Sequence, residues 1–163
     1  MAESSRRASR ASHASRDSRG RAPATPNTLF VVAAAEGPPA ELVGLAELVT
    51  VRFPWGSLLR GCVGLDPVVA AGLADLVRPC GRLELLLAPA ERDRLAGIPT
   101  KSAEVVGAAT LAFETLGFRL ELGRLTSDDE ILASGSTWAR RLRSNGQAGA
   151  RPVTLVRLRS SER

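Results

Sequence analysis

Residues 49–61 read VTVRFPWGSLLRG, and how this stretch is read decides the fold. A strand-like apolar run, LVTVRF (48–53), stops in Phe53-Pro54-Trp55-Gly56-Ser57, and Leu58-Leu59-Arg60 then begins a new element. An ordinary polar turn would end a buried strand. Here Pro54 fixes the backbone, Trp55 offers a flat stacking surface and Gly56 permits close approach of the chain. In open α/β sheets ligands bind off the carboxyl ends of the strands, so the block reads as part of a binding rim. The competing reading makes Trp55 a core anchor and Gly56 a simple turn residue.

Outward from this block, strands alternate with helices. LFVVAAAE (29–36) is a continuous apolar run closed by Glu36 and Gly37-Pro38-Pro39, the pattern of a strand buried on both faces. A short helix over PAELVGLAEL separates it from LVTVRF. Asp66-Pro67 supplies a capping carboxylate and a proline at the first helical position, with Val69, Leu73, Leu76 and Val77 on one face. Arg78-Pro79-Cys80-Gly81 breaks that helix before a third strand, RLELLLA. A helix over 102–116 carries Val105, Ala109, Phe113 and Leu116 on its stripe and ends at Gly117. Phe118, Leu120 and Leu122 mark a fourth strand, Thr126 with Asp128 and Asp129 starts a short helix, and Pro152 opens a last strand, VTLVRLR. The expectation is an α/β domain with a mainly parallel sheet over residues 28–163. An Arg/Ser-rich segment precedes it at 1–27, a surface helix or a flexible connection.

The chain has 163 residues, 44% of them hydrophobic, and two cysteines, Cys62 and Cys80. Two cysteines are too few for a secreted disulfide framework, which points to a reducing, cytoplasmic setting. No apolar run reaches the roughly 20 residues of a membrane span. His13, the single histidine, lies in the Arg/Ser-rich segment, which leaves no His–Cys set for zinc. The net charge of +5 is unevenly placed: residues 1–22 hold six Arg against two acids, and residues 138–163 hold seven Arg against Glu162. Two basic ends around an acidic middle point to a polyanion, with nucleic acid the leading partner. The plainer reading is a solvated, arginine-biased surface.

Three segments in order, LFVVAAAE (29–36), VTVRFPWGSLLRG (49–61) and GSTWARRL (135–142), resemble the 16S ribosomal RNA (adenine-1408-N1) methyltransferases that confer aminoglycoside resistance. LVRPCGRLELLLA is similar to the turn and fifth strand of class I S-adenosylmethionine methyltransferases, with Pro79-Cys80-Gly81 where Pro-Gly-Gly is usual. The resemblance implies methylation of 16S rRNA within the small ribosomal subunit by a monomeric enzyme. It implies that Ala35, Glu36, Phe53, Pro54, Trp55, Gly56 and Ser57, with Ser136 and Thr137, line the S-adenosylmethionine pocket. Trp55 and Trp138 would clasp the target adenine, and Arg60, Arg141 and Arg151 would face RNA. Arg143 is the alternative to Arg151, because an SNGQAGA stretch (144–150) intervenes there.

Two departures from the family pattern matter. Many amine-directed class I enzymes carry Asn or Asp where this chain has Phe53, which cannot accept a proton. Adenine N1 needs no acceptor, because its in-plane lone pair is already the nucleophile and catalysis reduces to positioning. No GxGxxG-like loop occurs in the sequence. The expected fold is therefore a class I, Rossmann-like sheet of about five strands without its first βαβ unit, and weak S-adenosylmethionine binding. A non-catalytic RNA-binding remnant, and a methyltransferase for another substrate, are the alternative readings.

Overall fold

A computed structural model of the chain describes residues 27–136 and 151–162. Contacts divide the chain between Val32 and Ala33. In the first unit, Leu29, Phe30, Val31 and Val32 have exposed side chains and no regular structure. The second unit, from Ala33 onward, holds every element named below.

Four strands form one sheet: β1 (Ala46–Arg52), β2 (Val77–Leu87), β3 (Phe118–Leu125) and β4 (Thr154–Ser160), in the order β1-β2-β4-β3. The β1–β2 pair is parallel, whereas β2–β4 and β4–β3 are antiparallel. Two expectations are thereby corrected. Among the described residues the sheet has four strands and is mostly antiparallel, because alternation of helix and strand in sequence does not fix strand direction. LFVVAAAE is not a strand; its chain bends at Ala35–Gly37 and leads to a 3₁₀ turn at Ala40–Leu42, where a longer helix was expected.

Side-chain alternation along the strands divides the core into two faces. Leu83, Leu85 and Leu87 of β2 and Val156 and Leu158 of β4 point to one face. There they meet α1 (Gly56–Cys62), α2 (Pro67–Asp75) and α3 (Ser102–Glu114) through Leu59, Val69, Leu73, Val105, Ala109 and Phe113. The Phe113 and Phe118 rings pack edge to face at 5.8 Å. On the opposite face Leu86 and Leu155 pack with Phe53, Val153 and Ile131, the last from α4 (Asp128–Ala133). The rest of that face carries ion pairs: Arg157 on Glu84 at 2.8 Å, and Arg82 and Arg159 on Glu121.

The helix starts follow the sequence chemistry closely. Asp66 caps α2 by accepting from the Val69 N–H at 3.3 Å, with Pro67 in the first turn. For α4 the cap is Ser127, one residue beyond the expected Thr126, and Glu130 reaches back to the Ser127 N–H at 3.0 Å. Pro79-Cys80-Gly81 does not separate helix from strand. It lies inside β2 as a bulge, where the register jumps from Ala46–Val77 to Leu48–Arg82 and Cys80 takes φ +59°. Gly72, in the middle of α2, admits the main chain of the predicted first strand: a Cβ there would lie 1.8 Å from the Ala35 carbonyl oxygen.

Candidate RNA-facing cleft

Strand direction brings four ends to one rim. Arg52 of β1 pairs with Leu86 near the end of β2, Leu87 pairs with Thr154 at the start of β4, and Leu125 at the end of β3 pairs with the same Thr154. The carboxyl ends of three strands and the amino end of the fourth therefore open in the same direction.

The Phe53–Trp55 turn is built by two left-handed residues. Phe53 has φ +52° and Gly56 φ +61°. The Phe53 N–H still donates to the Leu86 carbonyl at 2.8 Å, so the ladder runs one residue past β1 before the chain turns. The turn sends the Phe53 ring inward against Leu86 and Ile131 and leaves Trp55 84% exposed at the N-cap of α1. Trp55 is thus no core anchor. Its flat face is therefore available at the surface beside the rim.

A cleft of about 440 Å³ lies beside this indole. Its walls are Arg52, Phe53, Pro54 and Trp55 from the end of β1, Leu59 from α1, and Ala88 just past β2. Arg92 and Asp93 come from the 3₁₀ segment Glu91–Ala96, and Arg151 from the approach to β4. The Asp93 carboxylate accepts the Ala90 N–H at 2.6 Å, which fixes the segment on the rim. Among the described residues no carboxylate is paired with Arg92 or Arg151, whereas neighbouring Arg94 is held by Glu91 at 2.6 Å. Three guanidiniums against one carboxylate give the cleft lining a net positive charge.

The expected site residues divide as follows. Phe53, Pro54, Trp55 and Arg151 are brought together in the cleft, and Gly56 and Ser57 open α1 beside it. Ser136 is partly buried beyond α4, its N–H on the Ser134 hydroxyl at 3.4 Å. Arg60 is exposed on α1 and reaches the Leu65 carbonyl at 3.4 Å; it is not a cleft residue. Ala35 packs on α2 and Glu36 is exposed, both away from the cleft lining. Thr137, Trp138 and Arg141 lie outside the described residues. Arg52, Arg92 and Asp93 were missed from sequence. The signal was available for Arg92 and Asp93, because ERDR (91–94) follows the carboxyl end of a strand on the same rim.

A family model for the 16S rRNA (adenine(1408)-N(1))-methyltransferases, the NpmA family, matches residues 1–156. The chain belongs to this family. Among curated relatives, an rRNA methyltransferase of Saccharopolyspora hirsuta is 35% identical over 73% of this chain and 79% of its own length. A 16S rRNA (adenine(1408)-N(1))-methyltransferase of Streptoalloteichus hindustanus is 36% identical over 74% of this chain and 57% of its own. Among solved structures, the W203A variant of the Catenulisporales acidiphilia 16S rRNA (adenine(1408)-N(1))-methyltransferase, with its cosubstrate SAM, superposes with a TM-score of 0.63 at 30% identity. That match covers 80% of this chain and 60% of the other. The 16S rRNA methyltransferase KamB gives 0.65 at 26% identity, over 79% and 60%. This member of the adenine-1408 family therefore spans somewhat over half the length of the relatives that carry the full family name.

Proposed function

We propose that this chain carries the rRNA-facing part of an S-adenosylmethionine-dependent methyltransferase that modifies N1 of adenine 1408 in 16S rRNA and so confers aminoglycoside resistance. The observation that carries the reading is the exposed Trp55 indole beside the guanidiniums of Arg92 and Arg151, which have no carboxylate partner among the described residues, at the carboxyl end of a parallel strand. A flat π-face takes a base drawn out of its stack, and stacking of this kind is worth about 1–3 kcal/mol per base. Arg52, Arg92 and Arg151 take the flanking phosphates, an interaction that weakens steeply with salt. Trp138 supplies the second indole and Arg141 a further phosphate contact. The four strands are read as one side of a class I, Rossmann-like sheet, in accord with the superpositions.

The cofactor fits the described residues on one wall. Phe53, Pro54 and Trp55 present backbone and an aromatic edge to a cleft of ligand size, whereas Gly56, Ser57 and Ser136 do not line it. When bound, S-adenosylmethionine supplies an electrophilic methyl group on a cationic sulfonium. The three guanidiniums would repel that cation, so they serve the RNA and not the cofactor. Phe53 offers no proton acceptor, and N1 requires none. What the chain contributes is orientation of the base and exclusion of water around it.

Methyl transfer from labelled S-adenosylmethionine to isolated small ribosomal subunits tests this, with the full-length Streptoalloteichus hindustanus relative run alongside. Transfer by this chain that is abolished on subunits already methylated at adenine 1408 is the expected result. Transfer by the relative alone, with RNA still bound by this chain, selects the non-catalytic RNA-binding reading. Transfer by this chain that persists on premethylated subunits refutes the adenine-1408 assignment.

A further inference from the structure

Arg52 closes β1 immediately before the turn that carries Trp55, and its side chain reaches well beyond its own strand. Its Nη1 donates to the carbonyl of Ser134, 82 residues further along the chain. Ser134 is the C-cap of α4 and is buried, and its own hydroxyl donates to the Ile131 carbonyl at 2.6 Å. Carbonyls at a helix end have no intrahelical partner, so a guanidinium there satisfies an open acceptor at the negative end of the helix. A second contact runs alongside: the Phe53 ring packs in the same small cluster as Ile131 of α4. The turn and the helix end are thus joined twice, once by charge and once by burial. In sequence, these are the two places that lead into the chain's two tryptophans, Phe53-Pro54-Trp55 and Ser134-Gly135-Ser136-Thr137-Trp138.

We propose that Arg52 is a positioning residue: by holding the Ser134 carbonyl it fixes the C-terminal end of α4 against the turn that carries Trp55. The purpose of this clamp rests on the functional reading above; its contacts do not. Arginine suits the task. Its planar fork carries five donors and is always charged, so one N–H holds Ser134 while the rest of the group lines the cleft. A lysine brings the charge without the fork.

The test uses the full chain with Trp138→Phe, which leaves Trp55 as the single indole emitter, and compares Arg52 with Arg52→Lys, Arg52→Gln and Arg52→Met. Two readouts are followed: fluorescence anisotropy of Trp55 and amide hydrogen exchange. Loss of the clamp is expected to lower the anisotropy and to speed exchange in residues 131–136 by about tenfold, the equivalent of one charge-assisted hydrogen bond. Exchange in β2 and β4 stays unchanged, and lysine restores part of both signals. Unchanged anisotropy and exchange in a folded Arg52→Met or Arg52→Gln protein overturns the proposal. Uniform loss of protection across the sheet overturns it too, since Arg52 would then support the fold at large. Neither readout needs RNA or cofactor, so failure of methyl transfer by this chain leaves the clamp fully decidable.

Discussion

Replacing Gly72 by alanine sets two effects of opposite sign against each other. In the middle of a helix the change favours alanine by about 0.8–1 kcal/mol, because glycine loses more backbone freedom on folding. In α2, however, the added Cβ would lie 1.8 Å from the carbonyl oxygen of Ala35 and 3.0 Å from its carbon. The obstacle is main chain and cannot swing aside as a side chain would. The 33–38 segment would have to withdraw by about 1.2 Å to reach 3.0 Å, below which Cβ contacts are essentially never found. Overpacking costs about 1–3 kcal/mol, and a contact of 1.8 Å with main chain belongs in the upper half, about 2–3 kcal/mol, so after the propensity gain the net loss is roughly 1–2 kcal/mol. Urea unfolding followed by circular dichroism reads this directly. With a slope of about 2 kcal/mol per molar, the midpoint falls by about 0.5–1 M. A midpoint that rises by the propensity gain alone would show that Ala35 does not lie across α2, and would refute the packing of residues 33–38 against that helix.

Under the proposed function, Trp55→Ala leaves stability within about 0.5 kcal/mol, because the indole is exposed, yet weakens binding of isolated small ribosomal subunits by about 1–3 kcal/mol; a thermal melt and a titration separate the two, and a large drop in melting temperature would return the indole to the core. Glu130 is held down to about 2 by the Arg124 guanidinium first, then by the Ser127 N–H and hydroxyl. A carboxylate whose folded value lies below its ordinary 4.5 adds stability that is present above that value and lost as pH falls toward 2. Glu130→Gln should therefore lower stability by a constant amount above about pH 4.5 and flatten the acid limb of the stability curve between about pH 4.5 and 2; an unchanged limb disproves the pairing. Burial pushes the Cys62 thiol up to about 12, whereas Cys80 is exposed. A thiol reagent at pH 8 should titrate one cysteine at once and the second only on unfolding; two fast equivalents would contradict the packing around Cys62.

What was legible in the sequence was the local chemistry. Asp66-Pro67 announces α2 and the spacing of Val105, Ala109 and Phe113 announces the buried stripe of α3, although α2 ends at Asp75 and Val77, expected on its face, opens β2. The rim at Phe53–Trp55 was legible for the same reason, since proline, indole and glycine each constrain the backbone or the surface on their own. What was not legible depends on partners distant in sequence. Leu29–Val32 is apolar enough for a buried strand, but composition states only that these side chains favour burial and not which edge would receive them. The direction of β4 follows from its register against Leu83–Leu87, which no local pattern encodes. Pro79-Cys80-Gly81 carries the residues of a helix stop, and only the pairing of Val77 with Ala46 reveals it as a bulge inside a strand. Arg52 carries no local signal, because the carbonyl it holds lies 82 residues away.

The left-handed turn at Phe53 also bears on how such a protein can change. A non-glycine residue with positive φ carries a strain of order 1–3 kcal/mol, and here the burial of the ring against Leu86 and Ile131 offsets it. An acceptor such as asparagine at this position would bear the strain somewhat better, yet it would leave a hole in the cluster and an amide without partners inside it. Under the proposed function, that is the substitution a shift from the ring nitrogen to the exocyclic amine would call for. Regioselectivity and folding are therefore tied to one side chain, and a mutational path between the two chemistries must first cross a less stable protein.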